Sequence, residues 1–143
     1  TWRDGNFNYT FDAVVYAVFV SMGFASIENI MYVATSGGFA VAVQRAIFAI
    51  PGHAMFAVFM GIFYARAKRC EAAGDYKAAD RALCGAMLVP MIFHGLYDFL
   101  LVAFGGPIFY VYFAASAIIA VTMVRNAARC DTPIFPDTDF PRL

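Results

Sequence analysis

The 143 residues are 62% hydrophobic and 14% charged, and ten basic side chains balance ten acidic ones to a formal net charge of zero. A soluble domain averages about 45–50% apolar and about 25% charged residues, so this composition excludes a soluble fold and calls for a membrane-embedded one. A neutral chain also argues against nucleic acid as a partner, and three cysteines without C-x-x-C spacing supply neither a disulfide framework nor a zinc knuckle.

The chain opens on a polar stretch from Thr1 to Asn6, without an initiator methionine or a cleavable signal sequence. This reads as the start of a fragment whose upstream helices are missing. A membrane-spanning helix needs about 20 predominantly apolar residues, and four segments have that length. The first covers 11–34 and ends at the breaker cluster Thr35-Ser36-Gly37-Gly38. The second covers 39–67, with Arg45 near its start and Pro51-Gly52 inside it. An alanine-rich polar stretch over 66–81 is expected to continue as helix around a break at Gly74. The third span, 82–104, carries Pro90, His94 and Asp98, and Gly105-Gly106-Pro107 turns it into the fourth, 108–124. The expected fold is therefore all-α: a polytopic bundle of four transmembrane helices over 1–130, followed by a loose polar tail over 131–143.

Orientation follows from the basic residues. Arg3, the 66–81 loop and the residues after the fourth span hold them, whereas the turns near Gly37 and Gly105 have none. The positive-inside rule then puts the N-terminus, the 66–81 loop and the C-terminus in the cytosol, as parts of a multi-pass protein of the cell membrane. Cys70, Cys84 and Cys130 fall on that reducing side.

An ionisable group in hydrocarbon costs at least about 2.5 kcal/mol, so each such group needs a partner and usually a role. Glu28, Asn29, Arg45, His53, His94 and Asp98 are the strongly polar residues in or near the spans. His94 and Asp98 are four apart and share a helix face. Counting about 1.5 Å per residue, Glu28 lies ~13 Å from the Gly37 turn, His94 ~16 Å and Asp98 ~10 Å from the Gly105 turn, and His53 ~12 Å beyond Arg45. A common depth is thus available to them. One Glu and two His can ligate zinc with a position left for water. Alternatively the Glu is a general base and the imidazoles stabilise an oxyanion. Either route is hydrolysis of a carbonyl compound in the membrane, with Asn29 fixing Glu28 or donating to the oxyanion. Arg45, close to a span end, either joins this group or snorkels to the interface. Gly23, Gly52, Gly61 and Gly85 are expected at helix-packing positions.

At these residues the chain resembles the PrsW family of intramembrane proteases, within the wider CAAX-protease and bacteriocin-processing superfamily. The resemblance rests on Asp12-x-x-x-Tyr16, on Gly23-Phe24-Ala25-Ser26-Ile27-Glu28-Asn29-Ile30-Met31-Tyr32, on Arg45, on Pro51-Gly52-His53, and on His94-Gly95-Leu96-Tyr97-Asp98-Phe99, in that order. It implies a metallo- or glutamic-type endopeptidase that cuts membrane-anchored proteins, such as anti-sigma factors, on the outer side of the membrane. It also implies Glu28, His53 and His94 as catalytic or metal-binding residues, Asn29, Arg45 and Asp98 as supporting ones, and zinc as the metal if one is used. The family further carries a Glu-Glu-x-x-Lys motif upstream of the Asp12 region. No two adjacent glutamates occur here, so the fragment is expected to lack part of its site.

Two other classes are compatible with some of the same residues. A bis-histidine haem protein would use His53 and His94 as axial ligands. A transporter or channel subunit would line an ion path with Glu28, Arg45 and Asp98.

Overall fold

Backbone amides in hydrocarbon must find their partners within their own segment, and this chain meets the requirement with helices. The computed structural model describes residues 2–36 and 38–135. Four helices follow one another: α1 (Asp12–Ser36), α2 (Phe39–Ala72), α3 (Tyr76–Ala103) and α4 (Gly106–Arg129). All four are long and apolar enough to cross a membrane. Among the described residues there is one isolated β-bridge, between Tyr9 and Pro133, and no strand.

The connections are set by local chemistry. Gly74, at φ +79°, takes the left-handed conformation that breaks the polar 66–81 stretch. The Asp75 carboxylate then accepts from the Ala78 amide and caps α3. Gly105 and Gly106, at φ +55° and +53°, reverse the chain into α4, with Pro107 in its first turn.

Helix α2 is the hub, packing against each of the other three. Its buried face includes Met55, Phe56, Val58 and Phe59, which join Val14 of α1, Tyr97 of α3, and Phe109 and Ala120 of α4 in one core. Gly61 permits a close approach of α1 and α2, since a Cβ there would lie 2.5 Å from the Val14 Cα. Gly85 receives the Phe63 ring in the same way, at 2.7 Å. A Cβ on Gly52 would make only an ordinary contact with Tyr97, at 3.5 Å, and one on Gly23 would meet nothing within 4 Å among the described residues, so Gly23 is not a packing glycine there. The outer faces of α1 and α3 carry apolar side chains such as Phe19, Phe24, Met87 and Ile92, which a bilayer would cover.

At the end of the bundle rich in Lys and Arg, the polar segments knit together. Phe7, Ala13, Ala65 and Ile134 form a second core with Trp2, Tyr16, Tyr64 and Phe135 against it. Buried Lys68 donates to the Trp2 carbonyl and to Glu71, and Trp2 donates its indole N–H to Glu71. The start of the expected loose tail is therefore docked. Ile134 donates to the Asn8 carbonyl, and Asp131 accepts from the Thr10 hydroxyl and the Phe11 amide. Two consecutive apolar residues, Ile134 and Phe135, give this segment a reason to fold back. The rest of the expected tail, 136–143, and Arg142 with it, lie outside the described residues.

Candidate active site

Three helices each deliver one ligand-type side chain to the same point. Glu28 comes from α1, His53 from α2 two residues after Pro51, and His94 from α3 four residues after Pro90. A proline inside a helix removes one backbone hydrogen bond and allows local bending. The ligand atoms of these three residues all lie within 4.8 Å of one another. His53 is the most enclosed, with 7% of its side chain exposed, against 24% for Glu28 and 34% for His94.

Glu28 is held from two sides through one oxygen. Arg45 Nη2 lies 2.5 Å and His53 Nε2 3.0 Å from Glu28 Oε2. A carboxylate accepts hydrogen bonds and does not donate them, so the second contact puts a proton on His53 Nε2. The Arg45 guanidinium also donates through Nε to Asn29 Oδ1, at 2.6 Å, and stacks over the Tyr32 ring at 3.9 Å. Arg45 therefore does not snorkel away: its charge is spent inside the bundle on two adjacent side chains of α1. Ser21, from α1, donates to the His53 carbonyl and ties the same two helices together.

His94 is oriented from below. Its Nδ1 lies 3.1 Å from Asp98 Oδ2, one turn along α3. A carboxylate on one ring nitrogen fixes the tautomer and leaves Nε2 for chemistry, the usual arrangement behind a ligating histidine. The His53 and His94 rings meet edge to face, with centroids 5.1 Å apart. Phe56 and Tyr97 border His94 at 5.5 and 6.4 Å. Together these side chains enclose a cavity of about 40 Å³, room for on the order of one to three waters. That volume, with the two rings in contact, cannot take a porphyrin between His53 and His94.

One carboxylate oxygen and two imidazole nitrogens form a donor set suited to zinc, with a coordination position left for water. The residues present fit such an ion, provided that His53 releases the Nε2 proton it now shares with Glu28. Without a metal, the same three groups fit general-base activation of a water in the cavity.

All six residues singled out in the sequence meet at this point. Glu28, His53 and His94 form the centre; Arg45 holds Glu28, Asp98 holds His94, and Asn29 anchors Arg45. Two residues without an expected role also take part, Tyr32 under Arg45 and Tyr97 in the cavity wall. Helical spacing was the available signal for Tyr32, which lies four residues after Glu28 on α1. Hairpin arithmetic likewise places Glu28 and Arg45 at ~13 and ~11 Å from the Gly37-Gly38 turn, close enough in depth for a long guanidinium to bridge.

Comparison with known proteins identifies the relatives of this chain. A family model described as PrsW family intramembrane metalloprotease matches residues 1–124. Protease PrsW of Oceanobacillus iheyensis is 41% identical over 103 residues, covering 72% of this chain and 45% of that protein. Protease PrsW of Bacillus subtilis is 36% identical over 106 residues, 74% of this chain and 46% of that protein. Protease PrsW of Shouchella clausii is 31% identical over 131 residues, 90% of this chain and 58% of that protein. The chain thus spans about half the length of the curated relatives it matches. No solved structure matches it significantly.

Proposed function

The chain belongs to the PrsW family, and from that premise we propose that it is the part of an intramembrane endopeptidase that carries Glu28, His53 and His94 as its hydrolytic centre. The observation behind this reading is the convergence of these three residues, from three different helices, to within 4.8 Å around a water-sized cavity. The substrate is a membrane-anchored protein, with anti-sigma factors as the class that the family resemblance suggests.

Peptide hydrolysis needs a water stripped of a proton, a partner for the oxyanion and a proton for the leaving amine. Glu28 takes the proton from water while Arg45, itself anchored on Asn29, holds the carboxylate in place. The hydroxide attacks the carbonyl carbon, and His94, held at Nδ1 by Asp98, donates through Nε2 to the oxygen that becomes negative. The proton held by Glu28 then passes to the amine as the C–N bond breaks. In the alternative form, a divalent ion such as zinc would be held by Glu28, His53 and His94 and would supply Lewis acidity toward water and the carbonyl, with the proton acceptor then a group other than Glu28. The glutamate pair of the family motif, absent from this chain, would belong to the rest of the intact protein.

The end of the bundle bearing Arg66, Lys68, Arg69, Arg125 and Arg129 faces the cytosol in this reading, which leaves the Glu28 centre nearer the outer leaflet. The test is cleavage of a membrane-anchored reporter by the intact protein, with and without a chelator, paired with metal analysis of the purified enzyme. Cleavage abolished by chelation and restored by zinc supports the metal form, and full cleavage with no bound metal supports the glutamate-activated form. No cleavage of any membrane-anchored reporter by folded intact protein would refute the proposal.

A further inference from the structure

A second cavity lies far from Glu28, between the C-terminal turns of α2 and α4 at the basic end of the bundle. Its volume is about 760 Å³, inside the roughly 300–1,000 Å³ range of small-molecule sites. The hydrolytic centre does not use it.

The walls of this cavity change character along the helix axes. On α2, Ile62 and Ala65 give way to Arg66 and Arg69, and on α4, Met123 gives way to Asn126. These residues recur every three or four positions, so each helix offers one continuous stripe. Ile62 and Arg69 are ~10 Å apart along the axis. One half of the cavity is thus apolar and the other basic, in the direction running out of the bilayer. Arg66 and Arg69 are exposed, and neither forms an ion pair among the described residues. Asp75 also borders the space, but one of its oxygens is committed to the Ala78 amide at the start of α3. The bottom is fixed by Thr10, whose hydroxyl donates to Asp131.

A ligand complementary to this gradient has a phosphate at one end and hydrocarbon at the other. Two guanidiniums are a strong phosphate receptor, and a basic cluster next to a membrane span attracts anionic lipid at about 1 kcal/mol per Lys or Arg. We propose that this cavity binds an anionic phospholipid, with its phosphate between Arg66 and Arg69 and an acyl chain along Ile62, Ala65 and Met123. Free phosphate shares the headgroup chemistry but has no use for the apolar half. The proposal is independent of the hydrolytic reading.

The test is native mass spectrometry of the intact protein released from detergent with phosphatidylglycerol or phosphatidylcholine added at equal concentration. Retention of phosphatidylglycerol is expected to exceed that of phosphatidylcholine about tenfold. Arg66→Gln with Arg69→Gln should erase the difference. Arg125→Gln with Arg129→Gln, which removes equal charge from outside the cavity, should leave it within about twofold. Met123→Trp, which keeps the charge and fills the apolar half, should also weaken retention. Equal retention of the two lipids by the unaltered protein overturns the proposal, and so does equal loss in both arginine pairs. Displacement of the lipid by millimolar inorganic phosphate, with Met123→Trp having no effect, would also overturn it by assigning the site to the free anion.

Discussion

Arg45 and His53 meet the same oxygen of Glu28, at 2.5 and 3.0 Å, so neither can change without altering how the other holds the carboxylate. Arg45 does this through a rigid fork whose Nε also reaches Asn29, a geometry that a lysine ammonium cannot reproduce. Arg45→Lys in the intact protein is therefore expected to lower kcat for reporter cleavage about tenfold with KM little changed, the mark of lost positioning. Asp98 acts one step further out, on His94 Nδ1. If the centre holds zinc, Asp98→Asn should weaken the metal about 10–100-fold, as measured by competitive chelator titration of the intact protein. The six polar residues were legible in the sequence because charge in an apolar span has few innocent explanations. The destination of Arg45 was not, since snorkelling and pairing satisfy a guanidinium near a span end equally well. Tyr32 was hidden for a different reason. Aromatic rings are common in spans, and Tyr32 acquires a role only when Arg45 is placed over it.

Helix packing is decided by where backbones can touch. A Cβ on Gly61 would strike the Val14 Cα at 2.5 Å, and backbone cannot step aside as a side chain can. Gly61→Ala should therefore destabilise the α1–α2 pair by about 1–3 kcal/mol, measurable as an earlier unfolding transition of the intact protein in detergent. Gly85→Ala meets the Phe63 ring instead, which can turn, and should have a smaller effect in the same measurement. Spans and their breaks were readable from hydropathy and glycine placement, including the helix break at Gly74. The separation of Gly61 and Gly85 from Gly23 was not, because spacing identifies small residues without saying which of them a neighbour will approach. The docking of 131–135 escaped for a related reason: two apolar residues among prolines look like a tail until Phe7 and Ala65 are seen to need cover.

In the whole bundle, α2 carries the core, the Glu28 centre gathers on one side of it, and the basic residues collect at one end. If that end is cytosolic, Cys130 at the foot of α4 should resist a membrane-impermeant thiol reagent added to whole cells and react with it in inverted vesicles. Reaction in whole cells would reverse the assigned orientation without touching the site. The central claim, that Glu28 and His53 work as one unit, is tested most directly by a double-mutant cycle on reporter cleavage by the intact protein. Groups that act on a single step are strongly non-additive. Glu28→Gln and His53→Gln are each expected to reduce cleavage by about 100-fold or more, and the double variant to be no slower than the worse single one. Near-normal cleavage by either single variant, or losses that simply multiply in the double, would contradict the account.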